Sequence, residues 1–475
     1  MSIQKIFLSV FFWSSFVFIF PLFSQPEKIT LEAIFDKQGP LSTPPSPPMT
    51  WRADGLSWIC YNPVLGQFVK EEAHSGKREP LYDAAAMEKA LVAAGIPEAS
   101  ARGLSRSSDY VFDQTLGQVL LIEQEDIFCY TFEKSCAVRI TQRPGREEEM
   151  DFSPDGRYVS FVRDKNLYVV DLEIRQEKAL TQDGGERIFN GYLDWIYQEE
   201  VYGRGNFRGY WWSPDSSKIA FLKLDESNVK KFPIIDHIPN DPEIQSDYYP
   251  KAGDPHPGVK LCVADVKSGA IREIELGEYA PDAILLVKVA WCPRGKLSYQ
   301  IQDRIQSWLH LCLADPETGK SEIIVKESSP YWVEPQENPC WISDDEFLWL
   351  SERDGWKHLY HYRGHGELVR QVTRGEWEVR ELCGVDREWV YFSSTHHSPI
   401  ERHTYRIKMD GTKMARLTQE PGTHETVFSP VFSGYLDSWS DIETPLRVAF
   451  YDMNGKLIRQ VDRKSTRLNS SHVSQ

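Results

Sequence analysis

The chain has 475 residues, of which 41% are hydrophobic, 12% aromatic and 26% charged, and its formal net charge is −16. That length and aromatic content describe a folded protein with a large core and exclude a disordered chain. The acidic balance excludes the basic stripe that a nucleic-acid partner requires.

Residues 1–25 read as a targeting segment. Lys5 supplies the charge, and residues 6–23 are apolar apart from Ser9, Ser14, Ser15 and Pro21. A cleaved signal peptide and an uncleaved N-terminal anchor both fit, with Pro21 and the small Ser24 favouring cleavage. Either way the folded part is expected to be exported, to a periplasm or the cell surface. Residues 26–50 form a linker whose prolines gather at 40–48. Residues 83–105, with the alanine runs at 84–86 and 90–94, are expected to be helical at least as far as Gly95.

From 51 onward a signature recurs: an aromatic residue, Ser-Pro-Asp-Gly, two more residues, then an alternating apolar strand. It stands complete at Phe152-Ser153-Pro154-Asp155-Gly156 and degraded at Trp51, Trp212, Trp291, Trp341 and Phe428. Pro presets φ, Asp bonds its own backbone and Gly takes positive φ, so each copy is a turn. A second strand ending in Asp follows, as in Leu167-Tyr168-Val169-Val170-Asp171. An apolar-Thr pair closes the unit at Thr141, Thr181, Thr373 and Thr418. The period of roughly 40 to 60 residues is that of four-stranded propeller blades. Starts near 51, 110, 152, 212, 291, 341, 385 and 428 predict an all-β, eight-bladed propeller over 51–461. Within it, residues 230–257 are too long for a hairpin loop and should project.

One stretch interrupts this rhythm: Asp194-Trp195-Ile196-Tyr197-Gln198-Glu199-Glu200. In a strand the two glutamates would face opposite ways, whereas in a helical turn headed by Asp194 they lean toward one site. Adjacent carboxylates repel, and a cation donating hydrogen bonds to both relieves the cost. The α-amino group of a peptide, an ammonium with three donors and a pKa near ~8, suits them. The plain alternative is a solvated surface pair.

Other clusters read as structural. His358, His361 and His365 straddle a strand and a turn, so their side chains diverge; His396-His397 is a loop pair, and neighbouring histidines need help from elsewhere to chelate one ion. Trp211 and Trp212 sit at a blade turn and are expected in the core. Eight cysteines without Cys-x-x-Cys spacing supply no metal motif; Cys262 and Cys312 occupy equivalent repeat positions and should face the core. No metal and no cofactor are expected. No Gly-x-Ser-x-Gly elbow and no strand-helix alternation occur, so no catalytic residue is expected in this chain. Residues 462–475 abandon the alternation, and as far as His472 they contain no core former except Leu468. They read as an artefactual tail on a gene model whose natural protein continues.

The double-glutamate stretch and the following Tyr210-Trp211-Trp212-Ser213-Pro214-Asp215 resemble the dipeptidyl peptidase IV family of serine exopeptidases. So do Asp225-Glu226-Ser227, Tyr249-Pro250-Lys251-Ala252-Gly253-Asp254-Pro255, Ser351-Glu352-Arg353-Asp354-Gly355-Trp356 and Ser398-Pro399-Ile400-Glu401-Arg402-His403, which extend the likeness over about 140 to 455. The resemblance implies an N-terminal propeller whose α/β-hydrolase domain is missing here. Glu199 and Glu200 would grip the N-terminal ammonium of a peptide substrate, releasing dipeptides, and Trp195 and Tyr197 would wall the channel or seat the loop. The projecting 230–257 would help form a homodimer. The family's Arg-His-Ser phrase, which supplies an arginine to the substrate carbonyl, has no match. Two alternatives stand beside this reading: a non-catalytic cell-surface propeller that binds protein partners, and a sister peptidase releasing tripeptides or acylated residues. Acylated substrates lack the ammonium that the glutamates would hold.

Overall fold

The turns that set the rhythm close as their chemistry dictates. In the third blade Ser153 Oγ bonds Asp155 Oδ1 at 2.6 Å and accepts from Tyr158 N at 2.8 Å, while Asp155 Oδ1 accepts from Arg157 N at 3.0 Å. The same three bonds recur at Ser213, Asp215, Ser217 and Lys218. The apolar-Thr pairs also acquire a cause. Thr141, Thr181, Thr373 and Thr418 each lend Oγ1 to a backbone N–H near the start of the blade's third strand, those of Ile127, Leu167, Leu359 and Thr404, at 2.8–3.0 Å. Each threonine thus latches the end of the fourth strand onto the third and satisfies a buried donor. The aspartates ending third strands accept from the turn beyond them, as Asp171 does from Glu173 N at 2.9 Å.

The structure, a computed structural model, describes residues 30–31 and 49–463. Consecutive antiparallel strands build eight blades, over 50–80, 111–139, 148–179, 188–273, 284–328, 340–371, 379–416 and 423–463. The eight-bladed propeller is therefore as the repeat predicts. Its first strand begins at Thr50 and its last runs to Arg463, one residue before and two residues after the expected 51–461. The targeting segment, most of the linker and residues 464–475 of the expected tail lie outside the described residues. Among the described residues no helix is long and apolar enough to cross a membrane.

The first strands of neighbouring blades approach one another around the axis. Between the first and eighth blades no strand is exchanged among the described residues; side chains close the ring. Trp51 Nε1 donates to Val427 O at 3.2 Å and Ser433 Oγ to Gly55 O at 3.0 Å, and Trp58 and Phe450 share a core. Two helices, α1 (Ala84–Ala93) and α2 (Glu98–Leu104), precede the second blade. Asp83 caps α1 through Ala85 N at 2.8 Å, and Met87, Leu91 and Ala101 bury against Phe128 and Tyr130. Cys262 and Cys312 are buried and unbonded, as their repeat positions predict. Residues 230–257 do project, as a two-stranded hairpin of Lys231–Asp236 and Glu243–Tyr248 with Ile234, Ile235, Ile238 and Ile244 exposed.

Candidate functional site

The fourth blade's first strand is split. Ile188–Asn190 and Tyr210–Trp212 both pair with Lys218–Asp225, and the chain between them leaves the sheet opposite a single residue, Leu222. Gly191 N donates to Leu222 O at 2.9 Å, Leu222 N to Gly209 O at 2.8 Å, and Gly209 N to Gly191 O at 3.0 Å. Two glycines thus form a closed neck, from which residues 192–208 are extruded. Gly191 has φ +70°, and a Cβ on Gly209 would meet Leu193 Cδ2 at 2.8 Å, so both positions demand glycine.

The extruded loop opens with one helical turn. Asp194 heads it, accepting from Ile196 N at 3.2 Å and Tyr197 N at 3.1 Å, as expected of its N-cap chemistry. The turn then widens to a π-helix over Tyr197–Val201, with Tyr202 N reaching Tyr197 O at 2.8 Å. Such wide turns hold their shape only when packing determines them. Here Leu193, Ile196 and Tyr197 point inward, and Tyr197 Oη accepts from Leu286 N of the fifth blade at 3.3 Å. Gln198 Oε1 accepts from Gly205 N at 2.9 Å and ties the turn to its return. Trp195 and Glu200 are exposed on this seated turn, and Glu199 is half-buried.

Of the four residues singled out in sequence, Tyr197 is wholly buried and seats the loop; it does not line an accessible wall. Trp195 is 38% exposed and stands edge-on to Tyr249 at the base of the projecting hairpin, with ring centroids 4.4 Å apart. The Glu199 side chain is mostly covered, and Arg204 donates to its Oε1 through both Nε, at 2.6 Å, and Nη2. Glu200 is exposed and makes no hydrogen bond among the described residues. The hydrogen bond to Glu199 raises Arg204's affinity for its proton, and the charges of Glu199 and Glu200 add to it. A guanidinium of the chain itself therefore marks where a cation sits against this pair.

Sequence reasoning missed that pairing, although Gly203-Arg204-Gly205 directly follows the turn and its flanking glycines were the available signal. It also missed the burial of two carboxyl groups, those of Asp194 and Glu226. Asp194 is buried, which pushes its carboxyl up to about 6 against the pull of its backbone bonds. Burial, with Asp194 nearby, raises Glu226 to about 8. The sequence offered Glu226 only within a family phrase; its burial is visible in the fold, where its N–H donates to Arg187 O at 2.8 Å. The second and third blades close their middle hairpins with two-residue turns, Gln124-Glu125 and Asp164-Lys165, and no arginine stands in either. Lys165 instead lies 3.3 Å from the centroid of the Tyr192 ring.

The remaining clusters resolve as their spacing suggests. His358 bonds Thr373 Oγ1 at 3.1 Å and Gly375 O at 3.0 Å, His361 faces Glu346 and His365 faces Glu367. Trp212 Nε1 donates to Ser160 Oγ at 2.8 Å, and Trp211 packs against the largest core.

Comparison with known proteins agrees with this fold. A family model described as the dipeptidyl peptidase IV (DPP IV) N-terminal region matches residues 123–446. A protein of Emericella nidulans named "Probable dipeptidyl-aminopeptidase B" is 33% identical over 317 residues, covering 60% of this chain and 35% of that protein. Dipeptidyl-aminopeptidase B of Aspergillus niger is 31% identical over 317 residues, with the same shares. The chain thus spans about a third of the length of these curated relatives. Among solved structures, dipeptidyl peptidase 4 of Porphyromonas gingivalis superposes with a TM-score of 0.81 at 24% identity, covering 94% of this chain and 64% of that one, a likeness of fold.

Proposed function

We propose, because this chain belongs to the dipeptidyl peptidase IV family, that it is the substrate-recognising propeller of a serine exopeptidase that releases dipeptides from free peptide N-termini. The observation that carries the reading is the extruded turn, which holds Glu199 and Glu200 as neighbours on a seated frame with a cation already against Glu199. A substrate ammonium would exchange for Arg204 at Glu199 and complete its donors on Glu200. Anchoring that end fixes how far the chain reaches, so the scissile bond two residues along is set by distance and not by side-chain chemistry. The nucleophile, base and oxyanion hole belong to a hydrolase domain outside this sequence. Trp195 and Tyr249 would flank the entering peptide.

Two further proposals accompany it. The exposed isoleucines of the projecting hairpin suit a homodimer contact. The apolar run at 6–23 supports export. The function is tested with the full-length protein on a dipeptidyl anilide and its N-acetyl counterpart. Hydrolysis of the free-amine substrate far faster than of the acetylated one is expected. Equal turnover of both would refute recognition of the ammonium, and turnover of neither would refute the activity.

A further inference from the structure

The seventh blade's second and third strands, Trp389–Ser394 and His403–Lys408, are joined by residues 395–402, and this connection gathers three metal-ligating groups. One ligand atom each of His397, Glu401 and His403 lies within 4.8 Å of the other two. His397 Nε2 is 3.6 Å and His403 Nε2 is 3.3 Å from the same oxygen, Glu401 Oε2. A tetrahedral zinc ion with bonds of about 2.0–2.1 Å separates its ligands by about 3.3 Å. The two measured edges are thus nearly those of a formed site.

The surroundings are those of a ligand histidine. His403 is buried, and its other ring nitrogen, Nδ1, is 3.0 Å from Thr418 Oγ1, the same hydroxyl that latches Thr404 N. That contact fixes the ring's orientation and leaves Nε2 facing Glu401 Oε2, the arrangement found behind metal-bound imidazoles. His424 packs at 4.9 Å from the His403 ring and is itself held by Asp437 Oδ2 at 2.9 Å and Glu420 O at 2.7 Å, so His403 has no room to rotate away. His397 and Glu401, four residues apart, are brought together by a turn in which Glu401 N donates to Ser398 O at 3.3 Å. The neighbouring His396 takes no part, being packed edge-on to Trp377. The help that the histidine pair lacks in sequence comes from Glu401 and His403.

We propose that His397, Glu401 and His403 form a binding site for one zinc-class divalent ion, with a fourth, solvent-facing position beside the exposed His397. Two imidazoles and one carboxylate select zinc, cobalt(II) or nickel over magnesium and calcium, which take oxygen ligands. The site is independent of the peptide reading and lies on another blade.

The test uses the full chain, stripped with chelator and dialysed against zinc, with the bound metal measured by elemental analysis and cobalt(II) absorption as a second probe. One ion per chain is expected, with a cobalt spectrum of tetrahedral intensity. His397→Ala, on the exposed loop, should lose at least tenfold in affinity while keeping the fold. Thr418→Val should weaken binding about tenfold to a hundredfold by freeing the His403 ring, with the fold checked by circular dichroism because the same hydroxyl latches Thr404 N. Absence of stoichiometric binding, or binding that His397→Ala leaves unchanged, would overturn the proposal.

Discussion

At Glu199 an intramolecular cation occupies the place proposed for the substrate. Arg204 is highly exposed, so its pairing is weak and exchangeable, and its removal should leave Glu199 waiting for the ammonium. Arg204→Ala is expected to lower KM for dipeptidyl substrates by at most about fivefold with kcat unchanged, most clearly at low salt; a rise in KM would show that Arg204 assists the substrate instead. In the same blade, buried Glu226 holds its proton up to about 8, against an ordinary value of 4.5. A carboxyl that binds its proton more tightly when folded stabilises the fold fully below 4.5, and that contribution fades as pH rises through about 8. Unfolding free energy should therefore fall across this window by up to about 1.4 kcal/mol per pH unit from this group. Glu226→Gln should flatten the slope in denaturant titrations at pH 6 and 8; an unchanged slope would assign the dependence elsewhere.

Elements differ in how far they could be read in advance. The Ser-Pro-Asp-Gly turns and the threonine latches are local devices, each closing within a few residues or across one hairpin, and the chain spells them out. The helical turn at 195–200 was legible for the same reason, with Asp194 to cap it. The neck at Gly191 and Gly209 was not, because it depends on both glycines standing opposite Leu222 in the sheet register. Nor was the inward course of Tyr197, which is decided by Leu286 on the next blade. The projecting hairpin was legible only as excess length. Its exposed isoleucines lead to the expectation that the full-length protein is a dimer and that Ile235→Glu with Ile244→Glu yields monomer in sedimentation. A dimer that survives both changes would place the contact on another surface.

For the whole molecule, the ring of eight blades sets one extruded loop in place by closing the fourth blade's sheet at Gly191 and Gly209. The eight-blade count came from the repeat. The path of the fourth blade's interrupted strand, and with it the exact aim of the two glutamates, came only from the folded chain. The measurement that bears most directly on their proposed role is a cycle in the full-length protein. It compares kcat/KM for free-amine and N-acetylated dipeptidyl anilides, in the wild type and in Glu199→Gln and Glu200→Gln. If each charge-assisted bond contributes ~1.5–3 kcal/mol, each change should cut the free-amine value about tenfold to a hundredfold, leave the acetylated value unaltered and so collapse the preference. A preference for the free amine that survives both substitutions would show that the ammonium is held elsewhere.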